Sequence, residues 1–589
     1  MCGLNLILST TPRPLQEPLA AMQRVSRFRG PDAAGVLTKK LANWQVAVGV
    51  NRLQVIDREA QSNQPMISAC GNYVLAYNGE VYNYQDLRNR LLGKGYRFHT
   101  RSDTEVVLYW LQEFGEEGIS ALKGMFAFVF IDLQEKSTLI ARDRQGIKPL
   151  YWVRQNGLLL VSSSVKAIAA SGLVGLHLNK AAVADYLAYR YVAGEQTFYR
   201  QVTAQPPGRI TRISKTLQTT HRVMRVREPE ATDIKEVLLE SLTLQFAADP
   251  APGLLLSGGV DSTLLLAMLR QELGLRGVAT YTLATGEDAG WAQRAAKQFE
   301  ASHQAIAVTE EVLWRLHEYL QQTDQPIGDM GGFATWLVAA EAGKQGNVLL
   351  SGAGADELFG GYNRHRAFYY YLHHRSASLR ARQVLGRLPL RLLLSSRQQQ
   401  FLAALNNDPQ ITYAGFLQTY AITNKQPATP LWPPTKYPDE NMARALVHDT
   451  RNYLVADVLA ITDNATMQHS VEARVPYLYD DVVAAAAAIP VPARMAGHGK
   501  APLKKLLAAY GGTPYTQRQK QGFGLPMAKW LRQKNTGWLW EFLLHDSPLD
   551  EFIPKTRVYA FLQLHQQGKR DYSMQLWSIL VLANWLHRN

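Results

Sequence analysis

The chain has 589 residues, 47% of them hydrophobic, which predicts a globular protein with large cores in at least two domains. A net charge of +14, from 63 basic and 49 acidic residues, raises the question of an acidic partner, while two cysteines, Cys2 and Cys70, exclude a disulfide framework and a cysteine-based zinc site. We find no uncharged apolar run of about 18 residues and no cleavable leader pattern, so we expect a cytoplasmic protein without a membrane partner.

The first 210 residues carry the pattern of antiparallel sheets. Short alternating apolar runs, such as those at 44–48 and 73–77, are separated by Asn-Gly and glycine-rich turns. We predict an α+β domain over residues 1–210, with stacked antiparallel sheets and a few helices. The polar stretch that follows, residues 211–232, is predicted to cross between two domains.

From Ile234 onward the pattern changes to helical periods that alternate with apolar strands. The strands include residues 253–256 and 348–350, and such alternation indicates a parallel sheet flanked by helices. After Gly361 the sequence is mostly helical in pattern. We therefore predict that residues 233–589 form a second domain of the α/β class with a largely helical C-terminal part.

Cys2 is the first chemically distinctive residue of the chain. Once Met1 is removed, which a small second side chain permits, Cys2 begins the chain and its own α-amine can act as the base for its thiol. An α-amine has a reference pKa of about 7.7 to 8.0, so it can move a proton near neutral pH without a histidine. The pattern therefore indicates a candidate N-terminal nucleophile.

Several short motifs accompany Cys2 in a fixed order. They are Arg29-Gly30-Pro31-Asp32, Asn51-Arg52-Leu53, Tyr77-Asn78-Gly79-Glu80-Val81-Tyr82-Asn83, Ser102-Asp103-Thr104-Glu105 and Gly124-Met125-Phe126-Ala127-Phe128. In this order the chain resembles the class II glutamine amidotransferases, and in particular the glutaminase domain of the asparagine synthetase family, which has the N-terminal nucleophile hydrolase fold. The resemblance covers most of residues 2–200.

The resemblance implies how glutamine would be hydrolysed. Cys2 would attack the side-chain amide of glutamine and form a thioester, while Asn78 and Gly79 stabilise the oxyanion. Neutral donors at the reacting carbonyl are what such chemistry requires. A simple hairpin turn is the alternative interpretation of the Asn-Gly pair.

The resemblance also implies how glutamine would be recognised. Arg52 would bind the substrate carboxylate, and Glu80 and Asp103 would bind its α-ammonium group. A zwitterionic amino acid needs one fixed cation and one or two fixed anions around it, which these residues supply. The alternative for Arg52 and Asp103 is a structural ion pair.

A second site is indicated by an apolar strand and the glycine turn that follows it. Such a turn directs backbone N–H groups and a helix N-terminus at an anion. The loop resembles the pyrophosphate-binding loop of the ATP pyrophosphatases, which cleave ATP between its α and β phosphates and form an acyl-adenylate. The resemblance implies an adenine nucleotide hydrolase-like domain that binds ATP through Ser257, Gly258, Gly259, Asp261 and Ser262. A strand-edge turn without function is the alternative.

A second loop of small residues and carboxylates, residues 350–362, also follows a short apolar strand. Small residues allow close approach of the backbone, and carboxylates suit Mg²⁺ on phosphate oxygens. Asparagine synthetases have such a segment at the adenylation site. The resemblance implies that Ser351 and Gly352 contact ATP and that Asp261 and Asp356 bind Mg²⁺.

Later motifs complete the pattern of the same family. They are Asp463, Ser470-Val471-Glu472-Ala473-Arg474-Val475-Pro476-Tyr477-Leu478, Gly499-Lys500 and Arg518-Gln519-Lys520-Gln521-Gly522-Phe523-Gly524. The resemblance implies that Lys500 lies on the α-phosphate of ATP and that Glu472 lies near the acceptor, both in catalytic roles. The alternative is a structural ion pair of Glu472 and Arg474 in a helical layer, with Lys500 as a solvated lysine.

Three positions depart from the family pattern. Ala353 stands where asparagine synthetases usually have an acidic residue, the segment 324–329 lacks the usual glutamate after its first aspartate, and Tyr479 stands where aspartate is common. We expect these changes to lie where the acceptor carboxylate binds and to leave the glutamine and ATP chemistry intact. They leave the identity of the acceptor open.

The sequence thus predicts an ammonia-channelling ligase that uses glutamine, ATP and a carboxylate acceptor. Aspartate is the default acceptor, and the alternative is a relative that amidates a peptide, an amino-acid derivative or a sugar acid. Decay of one site is a further alternative, which the presence of both sets of motifs argues against. Homodimers are frequent among relatives, which keeps a homodimer open.

An arginine-rich stretch between Arg364 and Arg397 accounts for much of the positive charge. We interpret it as a solvated helical face over an apolar leucine stripe. The alternative is a patch that binds nucleic acid, but few glycines and no recognised binding motif are interleaved with the arginines. We therefore predict no nucleic-acid partner.

Overall fold

The computed structural model describes residues 2–42, 44–225, 232–247, 251–385, 395–418, 432, 435–518, 524–533, 537–544 and 548–588. In these ranges no helix is long and apolar enough to cross a membrane. The strands of the N-terminal part are β1 Cys2–Ser9, β2 Ala33–Leu41, β3 Trp44–Arg52, β4 Met66–Ile67, β5 Tyr73–Val81, β6 Gly124–Asp132, β7 Ser137–Arg142, β8 Tyr151–Gln155, β9 Leu158–Ser162, β10 Thr203–Ala204, β11 Arg209–Ile213 and β12 Thr219–Val223. Its helices are α1 Gln16–Ser26, α2 Tyr84–Leu92, α3 Asp103–Gly118, α4 Val165–Ala170 and α5 Lys180–Tyr189.

The N-terminal strands form two six-stranded sheets, in the orders β10-β8-β9-β1-β3-β2 and β12-β11-β7-β6-β5-β4. Their strand pairs are antiparallel, and the register of β1 against β3 sets Cys2 opposite Arg52. One core lies between the two sheets, because side chains such as Leu6 of β1 and Val129 of β6 pack in the same cluster. Helices cover the outer faces, so the domain has the predicted stacked-sheet architecture.

The alternation of side chains along β1 explains how one strand serves two cores. Leu4, Leu6 and Leu8 point between the sheets, whereas Ile7 packs on the opposite face with residues of α1 and α4. Each of these four side chains is fully buried. A strand that is buried on both faces holds its first residue, Cys2, in a fixed position.

The sheet extends further along the chain than the sequence pattern predicts. Residues 211–223 were expected to belong to the crossing at 211–232, but β11 pairs with β7 and β12 pairs with β11. The side chains of β12 are mostly exposed, since it is the edge strand of its sheet. A polar edge strand has the composition of a linker, which is why the pattern did not separate the two.

The second part of the chain contains the strands β13 Gly253–Leu255, β14 Ala279–Leu283, β15 Ser302–Ile306, β16 Val348–Leu350 and β17 Glu472–Arg474. Its helices are α6 Ile234–Phe246, α7 Val260–Gln271, α8 Asp288–Gln298, α9 Leu316–Gln322, α10 Gly331–Ala342, α11 Ala355–Phe359, α12 Asn363–His373, α13 Arg375–Leu385, α14 Ser396–Ala404, α15 Pro409–Leu417, α16 Pro438–Arg451, α17 Ala460–Met467, α18 Asp480–Ala488, α19 Val491–Met495, α20 Ala501–Ala509, α21 Thr513–Thr516, α22 Met527–Trp530, α23 Gly537–Leu544, α24 Lys555–Gln566 and α25 Ser573–Arg588. A turn of π-helix at Leu454–Leu459 precedes α17.

The five strands of this part pair in parallel, in the order β15-β14-β13-β16-β17. The chain leaves β13 toward β14 and β15 on one side and returns to β16 on the other side. The carboxyl ends of β13 and β16 therefore flank a topological switch point, where open α/β sheets bind ligands. The predicted parallel sheet with a largely helical C-terminal part is confirmed.

The two parts share a large apolar interface. One cluster runs from Tyr186 and Phe198 of the first part to Phe333 and Trp577 of the second. The hydroxyl of Tyr186 donates a hydrogen bond of 2.8 Å to the carbonyl of Ser578. Ion pairs add to this contact, namely Arg29–Asp463 at 2.9 Å, Arg144–Asp480 at 2.7 Å and Lys123–Asp481 at 2.5 Å.

Arg364, the first arginine of the arginine-rich stretch, does not lie on a solvated helical face. Arg364 is paired with the fully buried Asp449 at 2.7 Å, and its guanidinium stacks on the rings of Tyr362 and Tyr453. His365 Nε2 also lies 2.8 Å from Asp449. The predicted solvated helical face therefore does not include Arg364, because this arginine forms an ion pair with a buried carboxylate on another helix, α16. The part of the stretch that lies outside the described residues comprises Arg387, Arg391 and the side chain of Arg397.

Candidate functional site

Cys2 lies at the start of β1, only 5% exposed. Its backbone N–H donates a hydrogen bond of 2.9 Å to Oδ1 of Asn78 on the facing sheet. Burial raises the pKa of the Cys2 thiol, against the positive charges of the N-terminus and Arg52. The thiol thus needs a nearby base to become a nucleophile.

Asn78 and Gly79 of β5 lie beside Cys2. Nδ2 of Asn78 is buried and has no hydrogen-bond partner among the described residues, which leaves an unused donor on a side chain that contacts Cys2. A Cβ atom at Gly79 would lie 2.1 Å from the carbonyl oxygen of Met125 on β6. Glycine at this position lets β5 approach β6 closely and lets the backbone come next to the thiol. The alternative interpretation, a hairpin turn, does not hold here, since both residues lie inside a strand.

Arg52, at the end of β3, is held in place by the loop that follows it. Its guanidinium donates to the carbonyls of Ile56 and Glu59, at 3.1 and 3.3 Å, and to Oδ1 of Asn63 at 3.0 Å. Arg52 is 5% exposed and lines the same small cavity as Cys2. A buried cation fixed in this way is suited to a carboxylate ligand.

Asp103, the first residue of α3, lines the cavity from the other side. Its Oδ2 accepts hydrogen bonds from the hydroxyl of Tyr77 at 2.8 Å and from the N–H of Val81 at 3.1 Å. Burial raises the pKa of Asp103, although these hydrogen bonds oppose the change. The structure therefore brings Arg52 and Asp103 to one cavity without pairing them directly, as a site for an amino acid requires.

Gln64 belongs to this site although the sequence did not mark it. Its side-chain nitrogen lies 3.6 Å from the sulfur of Cys2, and its side-chain oxygen accepts a hydrogen bond of 2.7 Å from the N–H of Tyr77. Gln64 is 4% exposed and precedes Pro65. A glutamine next to a proline in a loop carries no signal of its own, so the sequence could not identify it.

Glu80 also lines the Cys2 cavity, but it has a partner from the second part of the chain. Oε2 of Glu80 lies 2.7 Å from Nη2 of Arg474 on β17. Arg474 Nε donates a hydrogen bond of 2.8 Å to Oε1 of Glu472. One buried guanidinium is therefore shared by two buried carboxylates beside the nucleophile.

Glu472 lies on a strand and not in the helical layer of the alternative interpretation, and its place near the acceptor stays a prediction. It begins strand β17 and lines the cavity of Cys2. The reason is that β17 is the edge strand of the parallel sheet and its alternate residues, Glu472 and Arg474, both face the first part of the chain. The N-terminal charge, Arg474 and Lys148 lower the pKa of Glu472 to about 2 despite its burial.

The glycine loop after β13 has the geometry of an anion site. Gly258 has a φ of +66°, and a Cβ there would lie 2.6 Å from the backbone of Trp291 and Ala292. Ser257 Oγ lies 3.2 Å from Ser262 Oγ, which closes the turn onto the start of α7. The predicted strand, glycine turn and helix start are all present, with the N-terminus of a 12-residue helix at the turn.

Arg518 fixes this loop from the C-terminal part of the chain. It donates a hydrogen bond of 3.0 Å to the carbonyl of Ser257 and pairs with Asp288. The remainder of the predicted motif at residues 519–523 lies outside the described residues.

The loop after β16 lies against the first loop. Gly352 approaches Asp261 closely, since a Cβ on Gly352 would lie 3.2 Å from Cβ of Asp261. The N–H of Ser351 donates a hydrogen bond of 2.8 Å to the carbonyl of Arg474, which fixes the loop to β17. The two predicted phosphate loops therefore meet at the switch point of the sheet.

Lys500 joins the two loops through its ammonium group. Its Nζ lies 2.6 Å from Oδ2 of Asp261 and 2.6 Å from Oδ1 of Asp356. Lys500 is 6% exposed, and the two carboxylates raise its pKa well above its ordinary value despite its burial. It is therefore a permanent buried cation at the loops and not the solvated lysine of the alternative interpretation.

The three departures from the family pattern separate in space. Ala353 follows the second phosphate loop directly, and its N–H donates to Ser351 Oγ at 3.3 Å. Asp324 instead caps α4 of the first part, accepting from the N–H groups of Val165 and Lys166 at 2.9 Å each. Tyr479 donates its hydroxyl to Glu240 at 3.1 Å. Ala353 is thus next to the phosphate loops. That all three departures lie where the acceptor carboxylate binds stays a prediction.

Comparison with known proteins agrees with this arrangement. The family model described as a glutamine amidotransferase domain matches residues 1–224, and the model described as asparagine synthase matches residues 233–587. Asparagine synthetase [glutamine-hydrolyzing] 1 of Bacillus subtilis is 29% identical, over 99% of this chain and 96% of the relative. A putative asparagine synthetase of Mycobacterium tuberculosis is 30% identical, over 96% of this chain and 93% of the relative.

A more distant relative has another name. Amidase chry2 of Gibberella zeae is 28% identical over 62% of this chain and 60% of its own length. The family models nevertheless cover both parts of the chain, and the thiol pocket and the paired phosphate loops lie one in each part. The chain belongs to the asparagine synthase family, as an ATP-dependent carbon–nitrogen ligase that takes its amide nitrogen from glutamine.

Proposed function

We propose that this protein is a glutamine-dependent asparagine synthetase. Glutamine hydrolysis at Cys2 supplies ammonia to an acyl-adenylate of aspartate, and the products are asparagine, glutamate, AMP and pyrophosphate. The observation that carries aspartate as the acceptor is the similarity, over nearly the whole chain, to relatives named asparagine synthetase.

The glutaminase half of the reaction uses the residues around the thiol. After removal of Met1, the α-amine of Cys2 takes the proton of its own thiol, and the thiolate attacks the side-chain carbonyl of glutamine. Nδ2 of Asn78 and the backbone N–H of Gly79 donate to the oxyanion, and the α-ammonium returns its proton to the leaving nitrogen, so that ammonia leaves. Water then hydrolyses the thioester, which releases glutamate and restores the thiol. Arg52 binds the carboxylate of the substrate, while Asp103 and Glu80 bind its α-ammonium group.

The synthetase half activates the acceptor at the switch point of the parallel sheet. A free carboxylate is a poor electrophile, so an oxygen of the acceptor attacks the α-phosphate of ATP and pyrophosphate leaves. The loops at 257–262 and 351–352 bind the phosphates with backbone N–H groups, and Lys500 stabilises the charge on the α-phosphate. Ammonia then attacks the acyl carbon and AMP leaves. A closed path keeps the ammonia from being protonated by water on its way.

Mg²⁺ fits the carboxylates that converge on Lys500. Asp261 and Asp356 come from the two phosphate loops and lie close together, since both contact Lys500 Nζ at 2.6 Å, and hard oxygen donors such as theirs suit Mg²⁺. Within the described part of the chain no three His, Cys, Asp or Glu side chains form a metal site. Asp261 and Asp356 would hold Mg²⁺ together with the bound nucleotide, and the ion would neutralise charge on the phosphates.

A second candidate is an amidotransferase of the same family that acts on a different carboxylate. The observation that favours it is Ala353, which puts a methyl group beside the phosphate loop where asparagine synthetases usually have an acidic side chain. An acceptor without an ammonium group would not need that charge. The name of the relative chry2, an amidase, is consistent with variation of the acceptor in this family.

The test supplies the protein with ATP, Mg²⁺ and glutamine labelled with ¹⁵N in the side-chain amide, together with aspartate or one of a panel of other carboxylates. Pyrophosphate release and the mass of the amide product are measured together. Aspartate-dependent release matched by ¹⁵N-asparagine is the expected result. Glutamine hydrolysis without aspartate-dependent pyrophosphate release, and with release on another carboxylate, would replace aspartate by that acceptor.

A further inference from the structure

Strand β17 and the turn after it touch both sites of the protein. The three-residue strand lies at the edge of the parallel sheet and forms the wall between that sheet and the Cys2 cavity. Its side chains contact the first part of the chain, and its backbone contacts the second phosphate loop. A single short segment is therefore in direct contact with the thiol pocket and with the nucleotide loops.

The contact with the thiol pocket is made by the side chain of Arg474, which is fully buried. Its Nη2 lies 2.7 Å from Glu80, its Nε donates to Glu472 at 2.8 Å, and its Nη1 donates to the carbonyl of Gln245 at 2.5 Å. Burial and the neighbouring Glu472 raise the pKa of Glu80 well above its ordinary value, even though Arg474 opposes this. Glu80 and Glu472 thus compete for one cation.

The contact with the nucleotide loops is made by the backbone of the same residue and by Tyr477. The carbonyl of Arg474 accepts a hydrogen bond of 2.8 Å from the N–H of Ser351. Three residues later, the hydroxyl of Tyr477 donates a hydrogen bond of 3.0 Å to the carbonyl of Asp261. The segment is therefore bonded to both phosphate loops.

We propose that Arg474 is a positioning residue that couples occupancy of the nucleotide loops to glutamine binding, through its backbone contact with Ser351 and its ion pair with Glu80. The inference rests on the proposed roles of Glu80 and Ser351 and adds a regulation of the same sites. A nucleotide that orders the loop at Ser351 holds the carbonyl of Arg474 in place, and with it the guanidinium that sets the orientation of Glu80.

The coupling has a definite sign. Glutamine must bind its ammonium group to a carboxylate that is already oriented, and ordering that carboxylate in advance removes part of the free-energy cost of binding. Nucleotide is therefore expected to tighten glutamine binding. Because linkage is reciprocal, glutamine must tighten nucleotide binding by the same factor.

The chain offers a matched control for this contact. Arg144 of the first part pairs with Asp480 of the second at 2.7 Å, also across the interface, and it touches neither phosphate loop. Substitution of Arg144 by methionine removes an interdomain ion pair without reaching Glu80 or Ser351. Arg144→Met therefore separates loss of coupling from loss of contact between the two parts.

The experiment measures glutamine affinity by calorimetry in Cys2→Ala protein, which cannot hydrolyse glutamine, with and without Mg²⁺ and α,β-methylene-ATP. We expect the nucleotide to lower the Kd of glutamine by about fivefold or more, and glutamine to lower the Kd of the nucleotide by the same factor. Arg474→Met should bring this factor to about one, Arg474→Lys should restore part of it, and Arg144→Met should keep it. A purely structural role for Arg474 would lower thermal stability but leave the factor unchanged.

A milder variant covers the case in which Arg474→Met does not fold. Tyr477→Phe removes only the hydroxyl that reaches Asp261, so it should reduce the coupling factor while glutamine binding without nucleotide stays the same. The inference is overturned if nucleotide does not change the Kd of glutamine in the Cys2→Ala protein. It is also overturned if the variants that fold show the same change in Kd as that protein. Neither result would contradict the proposed amide synthesis. Absence of glutamine binding in both states overturns the assignment of the first pocket and the inference with it.

Discussion

The backbone N–H of Cys2 donates a hydrogen bond of 2.9 Å to the side-chain oxygen of Asn78. The residues proposed as nucleophile and oxyanion donor, which belong to different sheets, therefore touch in the folded protein. The amide nitrogen of Asn78 remains without a hydrogen-bond partner among the described residues and is available to a substrate oxygen. Both groups are fixed by buried strands, so the pocket is formed before glutamine binds.

Replacement of the nucleophile should separate the two half-reactions. Cys2→Ala is expected to abolish glutamine hydrolysis and glutamine-dependent synthesis, while synthesis from ammonium chloride continues, because the phosphate loops lie in the other part of the chain. Cys70→Ala is the matched control, since Cys70 is the other cysteine and is exposed. Glutamate release, measured alongside amide formation, decides the matter; hydrolysis that survives in Cys2→Ala contradicts the assignment.

Removal of the oxyanion donor should lower turnover more than binding. We expect Asn78→Ala to reduce kcat for glutamine hydrolysis by about 10²- to 10³-fold with a smaller change in KM, as for loss of one oxyanion donor elsewhere. Asn89→Ala, at an exposed position on α2, should leave both constants unchanged. Steady-state glutaminase kinetics test this, and a change confined to KM would assign Asn78 to substrate binding.

Glutamine affinity should depend on pH through Glu80. Burial and the nearby Glu472 raise the pKa of Glu80, so protonation removes the negative charge that attracts the ammonium group of glutamine. KM for glutamine should therefore rise as pH falls through the raised pKa and fall as pH increases. Glu80→Gln should raise KM and remove this pH dependence, and a flat profile in the parent protein would argue against Glu80 as the ammonium ligand.

Loss of the buried ammonium group of Lys500 should stop adenylation of the acceptor without stopping glutamine hydrolysis. Lys500→Met is expected to abolish acceptor-dependent pyrophosphate release, since it removes the ammonium group that contacts both Asp261 and Asp356. Lys505→Met, five residues on and exposed, should retain pyrophosphate release. Glutamine hydrolysis measured in the same samples should persist in both variants, and its loss in Lys500→Met would point to misfolding.

The buried cluster around Asp449 should contribute strongly to stability. Asp449→Asn leaves the Arg364 guanidinium, whose side chain is 16% exposed, without its counter-ion, and loss of one partner of a buried pair costs about 3–5 kcal/mol. The urea midpoint should fall accordingly, while Glu440→Gln, an exposed change on the same helix, should have little effect. A midpoint within the range of the control would show that Arg364 finds another partner.

Low pH should remove the stabilisation of the fold that Asp449 provides. Arg364 and His365 hold the pKa of Asp449 far below its ordinary range despite burial, so the carboxylate stabilises the fold above the pKa it has in the unfolded chain. That stabilisation is lost as pH falls below about 4, the ordinary pKa of aspartate, toward the depressed value. Asp449→Asn should therefore flatten the acid side of the stability profile.

Much of the site could be predicted from short motifs, because its chemistry is local in the chain. The loop at 257–262 carries its own turn, its own N–H groups and its own helix start, so its geometry follows from its sequence. Cys2, Arg52 and Asp103 were likewise identified, and they line one cavity. Gln64 was missed because its contact with the thiol depends on how a loop folds back onto β1 and β5.

The sequence alone determined the two chemistries, the order of an antiparallel sandwich and a parallel sheet, and the loops that bind phosphate, since each of these follows from local periodicity and turn residues. Only the tertiary structure decided that Glu472 and Arg474 face the thiol pocket, that Lys500 joins two carboxylates from separate loops, and that Asp324 caps a helix of the other part. These relationships depend on which edge of the sheet a three-residue strand occupies and on how two cores dock. Such choices are set by the packing of distant residues, which no local pattern records.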